Sequence, residues 1–256
     1  MTNFVILFIV LEYIAITYAF GLIYKLIGWK SSAYIRSNFG WAGYCILGSF
    51  GVTFHELSHL VTAILFRHKI NEVRLFRPFQ GKADGTLGYV NHSWNQKSLY
   101  QKIGNFFIGT APMFFGAGLL FLLLRVAYPA VFVSIAEISD VPSALGAAFM
   151  NMLKPSSLLT QWMPIIIVAA IFICPYMHMS WADVKGATSG AITMIIVAVG
   201  LSLVSAVIPV YTVAQIQRVM NTFVTYYFYA LILGFIMSIA MALCFGLISL
   251  IRGKGL

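Results

Sequence analysis

A chain of 256 residues that is 61% hydrophobic and 9% charged, with a mean hydropathy of +0.90, is not composed like a soluble globular domain. Its apolar segments are long and continuous, which excludes a transmembrane barrel and predicts an all-α polytopic membrane protein of about six spans. The net charge of +9 falls on basic residues between the apolar runs, so the expected partner is the anionic lipid bilayer and not nucleic acid.

The first predicted span covers residues 4–27. It lacks a basic n-region and is too long for a signal-peptide core, so it is expected to stay in the membrane. A linker, 28–38, carries Lys30 and Arg36, with Trp29 and Trp41 as interfacial anchors. Span two, 39–66, holds Phe54-His55-Glu56-Leu57-Ser58-His59-Leu60 towards its C-terminal end. Residues 67–102 then contain seven Lys/Arg and two acidic residues. Within this loop, 71–77 and 86–92 alternate as half-exposed strands do, and 81–85 reads as the turn between them. The result is a small hairpin on the membrane surface beside span two. His68 and His92 could be ligands, but for lone histidines in a polar loop solvation is the better expectation.

Span three, 104–127, presents Gly109, Ala111, Gly116, Ala117 and Gly118 as a small-residue face for close helix approach. Its Pro112 frees the carbonyl four residues earlier, which must be buried in protein or wet. Residues 128–161, with Glu137, Asp140 and Lys154, are expected across the surface opposite the hairpin. Span four, 162–176, is short and holds Pro164 and Pro175. Ser180 is a fitting N-cap for span five, with Asp183 in its first turn, and that span is expected to end near Pro209. A polar break at 215–221 precedes span six, 222–251. Cys45, Cys174 and Cys244 all lie in apolar runs and read as small buried residues. The whole chain is one membrane domain. Six spans put both termini and the hairpin on one side, with ten Lys/Arg against six on the other, so that side is expected to be cytoplasmic.

On a helix His55 and His59 stack one turn apart, a spacing that lets two imidazoles hold one zinc ion with Glu56 placed to act on water beside it. Ionisable residues inside hydrocarbon are costly, which favours a functional reading. A catalytic zinc takes three protein ligands and an open position. Asp183 reaches the membrane from the same side as the motif and is the best third ligand. His178 is its rival. For Asp183 the structural alternative is stabilisation of a helix N-terminus.

The motif late in a span, the hairpin, the Gly/Pro-bearing span and the distal aspartate together resemble the site-2 protease family over roughly residues 39–190. These are intramembrane zinc metalloproteases. The resemblance implies His55, His59 and Asp183 as zinc ligands and Glu56 as the catalytic base. The chain is a divergent match, with S-W-A-D-V-K-G around the aspartate and A-P-M-F-F-G on the middle span. The expected activity is hydrolysis of a peptide bond within or near a transmembrane segment of a membrane-protein substrate. Gly88 and Tyr89, on the second strand, are the expected substrate-binding residues, through strand addition. The competing class is a non-enzymatic membrane protein, either a metal transporter or an inactive protease-like assembly factor.

Overall fold

The computed structural model describes residues 4–128, 150, 154, 161–204 and 210–253. In chain order these form α1 (Val5–Leu65), β1 (Lys69–Arg74), α2 (Pro78–Asp84), β2 (Tyr89–Ser93), α3 (Leu99–Ala127), α4 (Met163–Ile173), a 3-10 turn (Cys174–Tyr176), α5 (Trp181–Val204) and α6 (Val210–Ile251). Among the described residues, four helices are long and apolar enough to cross a membrane: α1, α3, α5 and most of α6.

At 1.5 Å per residue, α1 would be about 90 Å long if straight, about three times the hydrocarbon thickness. It is not straight. Gly40 interrupts it with φ 65° and ψ −169°, a backbone region that only glycine occupies at little cost. The two halves turn back there, because both pack on one short segment. Gly28 of the first half lies against His178 and Pro175, and Gly51 of the second half against Tyr176 and Phe172. Predicted spans one and two are therefore the two arms of a helical hairpin.

Cross-helix contacts set the direction of the other passes. α6 runs parallel to the first half of α1: Thr17 Oγ1 is 3.1 Å from the Tyr227 hydroxyl, the Tyr24 hydroxyl donates to the Leu231 carbonyl at 2.8 Å, and Arg252 donates to the Asn38 carbonyl at 2.9 Å. α5 runs the opposite way, since Tyr18 donates to Thr188 and the Leu7 N–H to Ser202. α4 starts where Ile166 packs on Leu124 and Tyr128, and its 3-10 extension ends at mid-depth, where Tyr176 meets Gly48 and Gly51. There α5 begins and carries on in the same direction.

Predicted spans four and five are thus two halves of one broken pass. Among the described residues the chain makes five passes: two in α1, then α3, α4 with α5, and α6. The expectation of about six spans counted the broken pass twice, because the prolines and polar residues around 175–180 look like a loop between spans. One consequence is that the N-terminus and the hairpin lie at one end of the bundle and Arg252 lies at the other. Both termini on one side, as six spans required, does not hold. The polar stretch 215–221 is helical and belongs to α6. Most of 128–161, and Pro209, lie outside the described residues.

The bundle packs through small residues. A Cβ on Gly109 would collide with the Asp183 carbonyl and Ala187, and one on Gly190 with the Phe106 backbone, so α3 and α5 touch nearly backbone to backbone. Gly116 similarly receives Met177, whereas Gly118 faces open space. Large apolar side chains such as Leu26, Phe50 and Leu250 point outwards, as a lipid-facing surface requires.

The loop after α1 is a two-stranded antiparallel sheet. Val73 pairs with Val90 and Arg74 with Tyr89, with a bulge between Ile70 and Glu72. The strands lie offset from the predicted segments, and the expected turn at 81–85 is instead the short helix α2, closed by Gly85 in the left-handed conformation with φ 76°.

Gly40 has nothing within 4 Å of where a Cβ would stand, so its glycine is required by the backbone alone. Gly40→Ala is expected to cost about 1–3 kcal/mol. The variant should melt at lower temperature in detergent micelles with unchanged helical circular dichroism, and an unchanged melting temperature would show that the turn does not depend on this residue.

Candidate metal centre

His55 and His59 project from the second half of α1 towards Asp183 at the start of α5. His55 Nδ1 lies 2.7 Å from the Tyr176 carbonyl, and His59 Nδ1 lies 2.7 Å from the Ile108 carbonyl. A carbonyl can only accept, so both Nδ1 atoms carry the proton and both Nε2 atoms are bare. Those two Nε2 atoms face each other at 3.1 Å. Two lone pairs this close repel unless a cation lies between them. Asp183 supplies the opposite wall, with Oδ1 3.4 Å from His59 Nε2 and Oδ2 4.0 Å from His55 Nε2. The three donor atoms fall within 4.8 Å of one another. A tetrahedral ion with ligands at about 2.0–2.1 Å holds them about 3.3–3.4 Å apart. The residues fit a metal.

The carbonyls that orient the imidazoles come from two defects in helices. Pro112 has no N–H, so Ile108, four residues before it, loses its intrahelical donor. The carbonyl that Pro112 was expected to free is thus the partner of His59. Tyr176 closes the 3-10 turn, and the Ser180 N–H that would meet its carbonyl in a continued helix donates instead to Asp183 Oδ2 at 2.6 Å. Ser180 Oγ in return accepts the Asp183 N–H at 3.1 Å, which completes a reciprocal capping box. Capping and facing the metal are therefore compatible for Asp183: the cap holds the carboxylate against the imidazoles.

His178 does not join this group. Its ring centroid is 6.3 Å from that of His55, it packs on Gly28, and its Nδ1 is buried with no hydrogen-bond partner among the described residues.

The triad opens into a cavity of ≈ 800 Å³ between the hairpin and the helices. Glu56 lines it, is 8% exposed and makes no hydrogen bond to another described residue. Gly88 was expected at the centre of a strand that receives substrate. It lies just before β2, and its bare Cα faces Glu56, where a Cβ would come within 2.7 Å of Glu56 Cγ and 2.8 Å of the Leu75 carbonyl. Tyr89 does line the cavity, but its ring also lies under Arg77, with 5.4 Å between the guanidinium and the ring centroid.

Asn105 lines the cavity and was not singled out in the sequence, whereas His68 and His92 were expected elsewhere. Asn105 is 3% exposed, and its amide nitrogen has no partner among the described residues; a polar residue one turn before Gly109 in an apolar helix was the available signal. His68 and His92, expected in solvent, hydrogen-bond each other, and His68 is buried. Nothing in their spacing announces that pairing, which depends on how the chain leaves α1.

Pro112→Ala restores an N–H that competes for the Ile108 carbonyl, and is expected to weaken metal binding about 10–100-fold while the bundle stays folded. Asp183→Ala should weaken it at least as much and His178→Ala far less. Equilibrium dialysis against buffered metal measures all three, and unchanged affinity in Pro112→Ala would contradict the role of the freed carbonyl. Comparison of the chain with family models, with curated proteins and with solved structures finds no match.

Proposed function

We propose that this protein is an intramembrane zinc metallopeptidase of the site-2 protease type, which hydrolyses a peptide bond within or near a transmembrane segment of another protein. The observation that carries this reading is the pair of bare Nε2 atoms facing Asp183, beside a Glu56 carboxylate that makes no hydrogen bond to another described residue. His55, His59 and Asp183 would hold the ion, three ligands of the kind that leave a coordination position open. A bound zinc ion supplies Lewis acidity, acidifying a water molecule and polarising the scissile carbonyl. Glu56 takes a proton from the water as its oxygen bonds to the carbonyl carbon. It then hands that proton to the amide nitrogen as the C–N bond breaks.

The walls of the cavity suit a peptide taken from a helix. A helix hides its carbonyls, so the substrate must unwind, and its backbone groups then need new partners. β2 lines the cavity, and among the described residues its outer edge is unpaired. An extended substrate segment can add to that edge. The hairpin end of the bundle bears the loop with seven Lys/Arg, so we place the hairpin and the N-terminus in the cytoplasm and the C-terminus across the membrane.

Glu56→Gln is expected to keep the metal and to lose cleavage by at least about 100-fold. The assay compares it with wild type on labelled membrane-protein candidates in proteoliposomes. The same fragments from both proteins would overturn the assignment, as would loss of metal from the variant. Gly88→Ala should also retain metal yet cleave poorly, because the added methyl displaces Glu56.

A further inference from the structure

His68 and His92 form a second imidazole pair beside the cavity. The chain leaves α1 through Arg67, whose φ of 58° is the left-handed conformation usually given to glycine at a helix end. The Arg67 N–H bonds to the Ile64 carbonyl and the His68 N–H to the Ala63 carbonyl, both at 2.9 Å. This closure turns His68 inwards, to 5% exposure. Its Nε2 lies 2.9 Å from the Gln101 carbonyl and so must carry the proton. His68 Nδ1 is therefore bare, and at 2.9 Å from His92 Nδ1 it requires a proton on the latter. Burial, with His68 and His59 nearby, pushes His92 down to about 4, so its ring stays neutral at ordinary pH. One tautomer remains, with Nε2 of His92 as an acceptor.

That atom has no hydrogen-bond partner among the described residues, and the ring lines the cavity between β2 and the triad. The pair is not a proton wire, because it ends on a backbone carbonyl. What it does is hold a lone pair in place. Trp94, stacked on His68 at 5.9 Å, packs against the pair.

We propose that His92 Nε2 is a substrate-positioning acceptor that takes a backbone N–H of the unwound peptide as it lies in the cavity between β2 and the triad. This rests on the peptidase reading above. Along β2 the ladder supplies partners for the peptide's backbone. A peptide N–H turned away from that edge into the cavity has no strand carbonyl to meet, and an unpaired N–H in a membrane cavity is expensive. His92, which lines the cavity from within β2, offers such an acceptor.

The test uses a synthetic apolar single-span peptide of about 25 residues with a central Gly-Pro pair, reconstituted with the metal-loaded protein. In protein labelled with ¹⁵N-histidine and carrying Glu56→Gln, so that the probe stays whole, His92 Nε2 should resonate as an unprotonated nitrogen and should shift when the probe is added. With Glu56 intact, His92→Phe should raise KM for the probe about three- to tenfold, the span of one hydrogen bond, with kcat changed by less than about twofold. His92→Gln should restore part of the loss. His68→Phe should raise KM although it touches no substrate, because the His92 tautomer is no longer fixed. An unchanged KM in folded, metal-loaded His92→Phe, or a protonated Nε2 at rest, would overturn the proposal. A probe that shifts Nε2 but is never cut by the wild type would support the acceptor and overturn the peptidase reading. A probe that is cut without any Nε2 response would overturn the acceptor alone.

Discussion

A backbone carbonyl buried in a membrane protein must find a donor, and here two of them find the histidines of the candidate metal centre. Pro112 strips the Ile108 carbonyl of its helical partner, and the break after Tyr176 does the same one helix away. His59 and His55 satisfy these groups through Nδ1 at 2.7 Å each. The bonds fix the tautomer of both rings and turn both Nε2 atoms to one point. Removing either carbonyl's freedom would leave an imidazole unanchored; removing either imidazole would leave a carbonyl without a donor. Helix irregularity and metal site are therefore one arrangement.

The broken pass formed by α4 and α5 follows from the same economy. A continuous helix through 163–204 would consume the Tyr176 carbonyl and place Asp183 on a helix interior. The break instead sets an α-helix N-terminus at mid-depth, where exposed N–H groups favour negative charge. The Ser180–Asp183 capping box uses that site and aims the carboxylate across at α1. The close α3–α5 approach through Gly109 and Gly190 brings the N-terminus of α5 within reach of the histidines. Gly48 and Gly51 do the corresponding work for Tyr176, whose ring fills the space their side chains would have taken.

Much of this was legible in the residues. His55, Glu56 and His59 announce themselves by spacing, Pro112 by the carbonyl it must free, and Ser180 by its capping chemistry three residues before Asp183. Local chemistry could not supply the partner of each freed group, since that depends on which helices come together. The number of passes was misjudged for a related reason: prolines and polar residues at 175–180 have the same composition whether they form a surface loop or a break at mid-depth. The contacts of that segment with Gly28, Gly48, Gly51 and Gly116 distinguish the two. The His68–His92 pair was hidden by a left-handed Arg67, a conformation that an arginine codon gives no reason to expect. Gly88 was noticed for its lack of a side chain, and the group that lies against its bare Cα is Glu56.

X-ray absorption at the zinc edge of the purified protein tests the central claim most directly. The account requires zinc bound by two imidazole nitrogens and one carboxylate oxygen, at about 2.0–2.1 Å, with room for a further light atom. Absence of stoichiometric zinc after purification without chelators, sulfur in the coordination shell, or a third imidazole in place of the carboxylate would contradict it.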